Sequence, residues 1–228
     1  MDHLQLREKE VFETLKKIKS YKFIVIGGYA VNAYTLPRFS VDCDIVVENN
    51  AEAKKIEKEL KKLGYKTEKN SRTSYYYSDF ARYEKEVIKG FRVSFDLMIS
   101  SVVDRHTKAS FSAKWIFENS GIRLLKGKTI SEDLRLRIVS LDALIAMKIA
   151  SCRNADIRDI FMLMPQAKNI YWIKEEISKR YDFNNRLDKI KDKVTSEKFK
   201  DNLQGVYGYV DKVLFEKHIK SVLNLKNI

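Results

Sequence analysis

The chain has 228 residues, 44% of them hydrophobic, and 44 Lys and Arg against 31 Asp and Glu give it a net charge of +13. That hydrophobic content is ample for the buried core of an ordinary globular protein, whether one large domain or a core with a small appendage. No apolar run approaches the roughly 18 residues of a membrane helix, and the start Met1-Asp2-His3-Leu4-Gln5 lacks a signal peptide's basic end and apolar run, so no membrane is expected and the expected compartment is the cytoplasm.

Only Cys43 and Cys152 are present, which excludes a disulfide framework and a zinc spacing and leaves two small buried hydrophobes. The positive balance points to an anionic partner, nucleic acid or nucleotide phosphates. A lysine-rich surface of the kind found in thermophiles is the other reading of the same composition.

From Asp2 to Lys19 the spacing predicts a helix, with Leu4, Val11, Leu15 and Ile18 on one stripe and Phe12 beside it. Next, Phe23-Ile24-Val25-Ile26 reads as a buried strand that runs out at Gly27-Gly28, where a helix-compatible Tyr29-Ala30-Val31-Asn32-Ala33 begins. Two glycines at a strand-to-helix turn let backbone amides approach a phosphate at a helix N-terminus, although the same pair also serves a plain tight turn. A second strand follows, on which Asp42 and Asp44 leave one face while Val41, Cys43 and Ile45 take the other. Two carboxylates that close repel unless something positive sits between them, and Mg2+, a hard cation that takes oxygen ligands, is the usual solution.

Ala51 to Leu63 reads as a helix with Ala53, Ile56, Leu60 and Leu63 on one face, capped at Gly64. Gly64 to Asp79 reads as short strands, in which Tyr75-Tyr76-Tyr77 beside Arg72 is either a base-stacking platform or ordinary strand tyrosines. Val87-Ile88-Lys89-Gly90-Phe91 signals a hairpin into a strand where Phe91, Val93, Phe95, Leu97 and Ile99 alternate with Arg92, Ser94, Asp96 and Met98. Asp96 is either one of a row of solvated side chains with Arg92 and Ser94 or a carboxylate with a task.

Between Arg105 and Arg137 eight Lys or Arg (Arg105, Lys108, Lys114, Arg123, Lys126, Lys128, Arg135 and Arg137) face only Glu118, Glu132 and Asp133. Such a patch suits a sequence-indifferent grip on a nucleic-acid backbone, or is a solvated surface. Leu134, Leu136 and Ile138 alternate as a strand, and Ser140 is placed to cap the following helix. On that helix Leu141, Leu144, Ile145 and Cys152 form the core stripe, and Lys148 falls in its middle. A lysine there must snorkel out, pair with a carboxylate or face a phosphate, because burying an unpaired ammonium is prohibitive. Asp156 and Asp159 sit three apart at one edge of an Ile157, Ile160, Phe161, Met164 stripe that Pro165 closes. The rest is helical by period, at Ile170, Ile173 and Ile177, then Leu187, Ile190 and Val194, then Val206, Val210, Val213 and Leu214, with Gly205 and Gly208 breaking it before the last helix.

Gly27-Gly28, then Arg38-x-Ser40-x-Asp42-x-Asp44 closing on Ile45-Val46-Val47, resembles the nucleotidyltransferase superfamily signature, in the branch of the AbiEii-type toxin nucleotidyltransferases. The run from Leu144 through Lys148 and Arg153 to Asp156 and Asp159 is similar to that branch's distal motif, a Lys-led helix followed by an Asp-x-x-Asp helix. The resemblance implies an α/β (α+β) core with a mixed β-sheet flanked by helices over residues 1–165 and a helical C-terminal region over 166–228.

It further implies transfer of a nucleoside monophosphate from an NTP to an acceptor hydroxyl, with Mg2+, or Mn2+ in its place, bound by Asp42, Asp44 and a third carboxylate, Asp96, in a site that can hold two ions. Gly27, Gly28, Arg38 and Ser40 would lie against the nucleotide. Lys148 would meet its triphosphate, with Arg153, Asp156 and Asp159 in support. The implied acceptor is RNA, first a tRNA 3′ end, with a protein or small molecule as alternatives and a cognate antitoxin as a possible partner. A catalytically inactive binding or antitoxin module is the rival from another class. A dinucleotide-binding turn is disfavoured because the third glycine of G-x-G-x-x-G is missing.

Overall fold

The computed structural model describes residues 2–68, 73–75, 78–208 and 210–227. Arg72, Tyr76 and Tyr77 of the expected stacking platform lie outside the described residues. The chain divides into two compact units. The first comprises residues 1–33, 37–103 and 111–139, and the second residues 34–36, 104–110 and 140–228.

The first unit is a mixed sheet with helices. Helix α1 (His3–Ile18) buries Val11, Phe12, Leu15 and Ile18 as its period requires, but Leu4 at its first turn is exposed. Strand β1 is only Ile24–Val25, and α2 is the single turn and a half Gly27–Val31. Strand β2 (Asp42–Val47) leads to α3 (Asn50–Lys62), whose first amides, those of Ala51 and Glu52, donate to the Asn49 side chain. Gly64, at φ +91, turns the chain out of α3 as a left-handed residue after a helix should.

After β3 (Lys66–Thr67) and β4 (Thr73–Tyr75) come two long strands, β5 (Ser78–Ile88) and β6 (Phe91–Ile99), joined at Gly90. Then β7 (Ser101–Val103) pairs with β8 (Ser110–Ser112) as a separate ribbon, followed by α4 (Ala113–Glu118), β9 (Ser120–Leu125) and β10 (Leu134–Val139). The main sheet runs β3-β5-β6-β2-β1-β10-β9, with β4 paired to β5. β2 pairs parallel with β6 and β1 parallel with β10, while β5 with β6 and β9 with β10 are antiparallel. β6 is thus an interior strand, and this is why it buries Ser94 and Asp96 as well as Val93, Phe95 and Leu97. The expectation of a solvated row there fails for Ser94 and Asp96 and holds for Arg92 alone.

Cys43, Ile45, Phe95, Leu97 and Tyr83 form the apolar side of β2, β6 and β5, which α1 and α3 cover. Tyr65 stands edge-on to Phe95 with ring centres 5.4 Å apart, and its hydroxyl meets Thr14 at 3.0 Å.

The second unit is helical, with α5 (Leu141–Ser151), α6 (Asn154–Leu163), α7 (Ile170–Ser178), α8 (Phe183–Val194), α9 (Glu197–Tyr207) and α10 (Lys212–Leu223). Helix α5 packs against α6, α7 and α8, so it is buried nearly all round rather than along one stripe. Ser140 stands at its N-cap without a side-chain cap bond. Gly205 lies inside α9 and only Gly208, at φ +88, ends it. Val213 and Leu214 are exposed on α10, whose inner side is instead Phe215, His218 and Val222. Phe215 packs on Phe161 with ring centres 5.1 Å apart, and His218 Nδ1 lies 2.9 Å from the Phe161 carbonyl. The Lys148 helix and the Asp-x-x-Asp helix belong to this helical unit. Among the described residues no helix is long and apolar enough to cross a membrane.

Candidate active site

The site in the first unit is placed by ladder register. Asp44 is the register partner of Asp96 across the parallel β2–β6 pair, and Asp42 is the partner of Ser94. Across the antiparallel β5–β6 pair, Asp96 is opposite Arg82. Register partners share a face, so three neighbouring strands put Asp42, Asp44, Asp96, Ser94 and Arg82 on the side away from Cys43 and Phe95.

Arg82 grips Asp96 with both arms of its fork, Nε to Oδ1 and Nη2 to Oδ2, each at 2.7 Å. Its Nη2 is also 3.5 Å from Asp42 Oδ2. Those hydrogen bonds to Asp96, against the opposing effect of burial, hold the Arg82 pKa above its ordinary value. The Ser94 hydroxyl donates to Asp42 Oδ1. The positive charge that a close carboxylate group demands is therefore present in the protein itself, on a residue of a strand whose length the sequence reading did not capture. The signal for Arg82 was a single basic residue between Ala81 and Tyr83, both buried.

The glycine turn is built around the same carboxylates. The Ile26 amide donates to the Asp44 carbonyl at 3.0 Å, which holds the start of the turn against β2. Gly27 has φ +64, and a Cβ on it would stand 2.0 Å from Asp44 Oδ2. A Cβ on Gly28 would stand 2.2 Å from Ser40 Oγ and 3.2 Å from Arg38 Nη2. Both glycines are thus required by close approach of the motif's own side chains. The intervening loop is pinned by buried Asn32, which donates to the Arg38 carbonyl at 2.9 Å and accepts from the Arg38 amide at 3.1 Å. Gly27, Gly28, Arg38, Ser40 and Asp44 accordingly form one cluster. Beneath it, Cys43 is fully buried, and burial first, then the charges of Asp44, Asp96 and Asp42, push its thiol pKa well up and keep it protonated.

In the helical unit, Lys148 is 6% exposed and its Nζ lies 2.7 Å from Asp159 Oδ2 and 3.1 Å from Asp156 Oδ1. Of the three fates open to a lysine in an apolar stripe, the helical unit shows pairing with carboxylates. Asp156 also accepts from the Ser151 hydroxyl at 2.7 Å and the Arg153 amide at 3.2 Å. Asp159 is completely buried and accepts from the Tyr207 hydroxyl of α9 at 3.1 Å, a residue that the motif reading did not include. The Arg153 guanidinium reaches Asp104 at 2.7 Å. Burial alone would raise the Asp104 pKa, but the Thr107 amide and Arg153 reverse this and bring it below the ordinary value.

Asp42 and Asp44 offer the all-oxygen donors that a hard divalent cation takes. Among the described residues, however, no group of three or more His, Cys, Asp or Glu side chains is disposed to hold a metal ion. The donor set therefore fits one cation on the Asp42 and Asp44 pair, and not an ion enclosed by three carboxylates, because Asp96 is gripped by Arg82. The eight basic residues between Arg105 and Arg137 are all exposed.

No protein-family model matches the sequence, and no curated protein matches it. Solved structures do. A crystal structure from H. pylori, assigned as a nucleotidyltransferase, matches with TM-score 0.53 and 15% identity over 100% of this chain and 95% of that one. MenT4, a nucleotidyltransferase toxin from Mycobacterium tuberculosis H37Rv, matches with TM-score 0.61 and 13% identity over 99% of this chain and 85% of that one. At such identities the likeness is one of backbone, and it agrees with the signature on β2 and the turn before it: the chain has the nucleotidyltransferase fold.

Proposed function

We propose that the protein is a metal-dependent nucleotidyltransferase that moves a nucleoside monophosphate from an NTP to an acceptor hydroxyl and releases pyrophosphate. The observation that carries this reading is the joining of the glycine turn and the β2 carboxylates into one cluster, through the contact of Gly27 with Asp44, within this fold. Mg2+ on Asp42 and Asp44, or Mn2+ in its place, would polarise the phosphoryl oxygens and offset charge developing at the transferred phosphorus. Gly27 and Gly28 bring the backbone close to the phosphates, while the Arg38 guanidinium and Ser40 hydroxyl beside Gly28 donate to their oxygens. The role of Lys148 toward the triphosphate, with Arg153, Asp156 and Asp159 in support, rests on the order of the motifs along the chain.

RNA, first a tRNA 3′ end, is the acceptor this reading favours, because the charge is +13 and the basic stretch is exposed. Action as a toxin is supported by the backbone likeness to MenT4, a nucleotidyltransferase toxin, and a cognate antitoxin is the partner that such a role would call for. Incubation with each labelled NTP, Mg2+ and total RNA tests the proposal, with label expected in RNA and RNA affinity falling steeply with salt. Label only in protein would overturn the RNA acceptor, and label in neither, with no pyrophosphate released, would overturn the enzyme.

Gly27→Ala is expected to impair this activity out of proportion to its effect on folding. The backbone at φ +64 costs an L residue about 1–2 kcal/mol, and Asp44 must move to admit the methyl group. A shift of that size in a catalytic group typically costs about a hundredfold in rate. Gly90→Ala is the control, since φ +78 imposes similar strain with nothing within 4 Å of the new methyl group. It should lower the melting temperature comparably and leave transfer unchanged; equal losses of activity in both variants would show that strain alone is responsible.

A further inference from the structure

The acidic face of the sheet carries its own cation. Arg82 is fixed to Asp96 by two hydrogen bonds of 2.7 Å and lies within ion-pair reach of Asp42 at 3.5 Å. This arrangement is set by the backbone, because Arg82 and Asp96 are register partners on adjacent strands and Asp96 is in turn the partner of Asp44. A bidentate guanidinium–carboxylate pair is hard to open when its carboxylate is buried, as Asp96 is, since that carboxylate would be left desolvated and unpaired. Arg82 thus offsets the charge of Asp96, the carboxylate that would have to turn to a second ion. Without Arg82 that carboxylate would be an invitation to one.

We infer that the site takes one divalent cation, on Asp42 and Asp44, and that Arg82, anchored by Asp96, is the permanent positive charge in the place where a second metal ion would otherwise sit. Asp96 is then a positioning residue for Arg82 and not a metal ligand. The inference rests on the metal-dependent reading above and deepens it. A guanidinium cannot be lost to a chelator and does not titrate near neutrality, so part of the positive charge at the site is independent of metal supply.

The test is a titration with Mn2+ alone, reading free ion by electron paramagnetic resonance, with folding of each variant checked by circular dichroism. The parent should bind one ion and Asp44→Asn should lose it. The double variant Arg82→Gln with Asp96→Asn keeps the charge and a hydrogen-bonding pair, and should still bind one ion with affinity within about threefold of the parent, whereas loss of a true ligand costs about tenfold or more. Should that pair not fold, Arg82→Met with Asp96→Leu asks the same question with an apolar pair. Arg82→Gln alone should gain a second ion or bind the first at least about tenfold more tightly, because the repulsion between the guanidinium and the ion is gone. Two ions on the parent, a double variant that loses its ion, or an unchanged Arg82→Gln would overturn the inference and leave the metal-dependent reading standing. Absence of Mn2+ from both the parent and Arg82→Gln would remove that reading itself, and this inference with it.

Discussion

Asp44→Asn is expected to reduce nucleotide transfer by at least about a hundredfold, the upper end of what loss of a mere supporting partner of a metal ligand costs. The substitution keeps the side chain's volume, so the glycine turn that packs against Asp44 is undisturbed and the effect is one of charge. Mg2+ should raise the melting temperature of the parent, because an ion that binds only the folded chain stabilises it by about 2.7 kcal/mol at a hundred times its dissociation constant. The variant should show little of that response. In the absence of metal the two proteins should melt at similar temperatures, since Arg82 already sits among the carboxylates and their repulsion is not left uncompensated. Paired melts with and without Mg2+ read this directly. A metal-free variant that loses several kcal/mol, with no Mg2+ response in the parent, would mean that Asp44 is structural, and full transfer activity in Asp44→Asn would remove the enzyme assignment.

The second large effect lies in the helical unit. Lys148→Met takes the ammonium from between Asp156 and Asp159 and leaves the Asp159 carboxylate, which is completely buried, without its cation. Breaking a buried pair from one side typically costs about 3–5 kcal/mol, whereas replacing both partners with apolar groups of similar size is often neutral. Lys148→Met should therefore unfold at markedly lower urea, and adding Asp159→Leu should restore most of the loss. Transfer by the folded fraction separates the two roles of the lysine. A double variant that is stable but transfers nucleotide poorly supports a role toward the triphosphate; a stable double variant with full activity makes the lysine purely structural.

Much of this was legible in the sequence, and what was not has physical reasons. Strand β2 and its carboxylates are visible because a period of two separates Asp42 and Asp44 from Cys43 and Ile45 over six residues. α3 announces itself by its apolar spacing and by Gly64. The middle of β5, residues 80–86, was missed, since Ser78–Ile88 mixes apolar, acidic and basic side chains without a clean alternation. Arg82 was lost with it. Its role depends on which residue of β6 it meets, and register between strands is a property of the assembled sheet. Helix α5 was read as having one buried stripe because a single helix cannot reveal that three others will surround it. Tyr207 was invisible for a related reason, being joined to Asp159 across 48 positions with no local pattern to mark the contact.

The register that assembles the acidic face also guards the folding of the sheet. If β2 slipped by one residue against β6, Asp42 and Asp44 would turn into the layer that now holds Cys43 and Ile45, beneath α1 and α3, and those apolar side chains would turn out. Two carboxylates would then be buried away from Arg82, a cost that the slipped strand has no apolar burial to offset. A misaligned sheet is thus penalised by the very groups that make the site, and only a chain in the correct alignment can bring Asp44, Asp96 and Arg82 together.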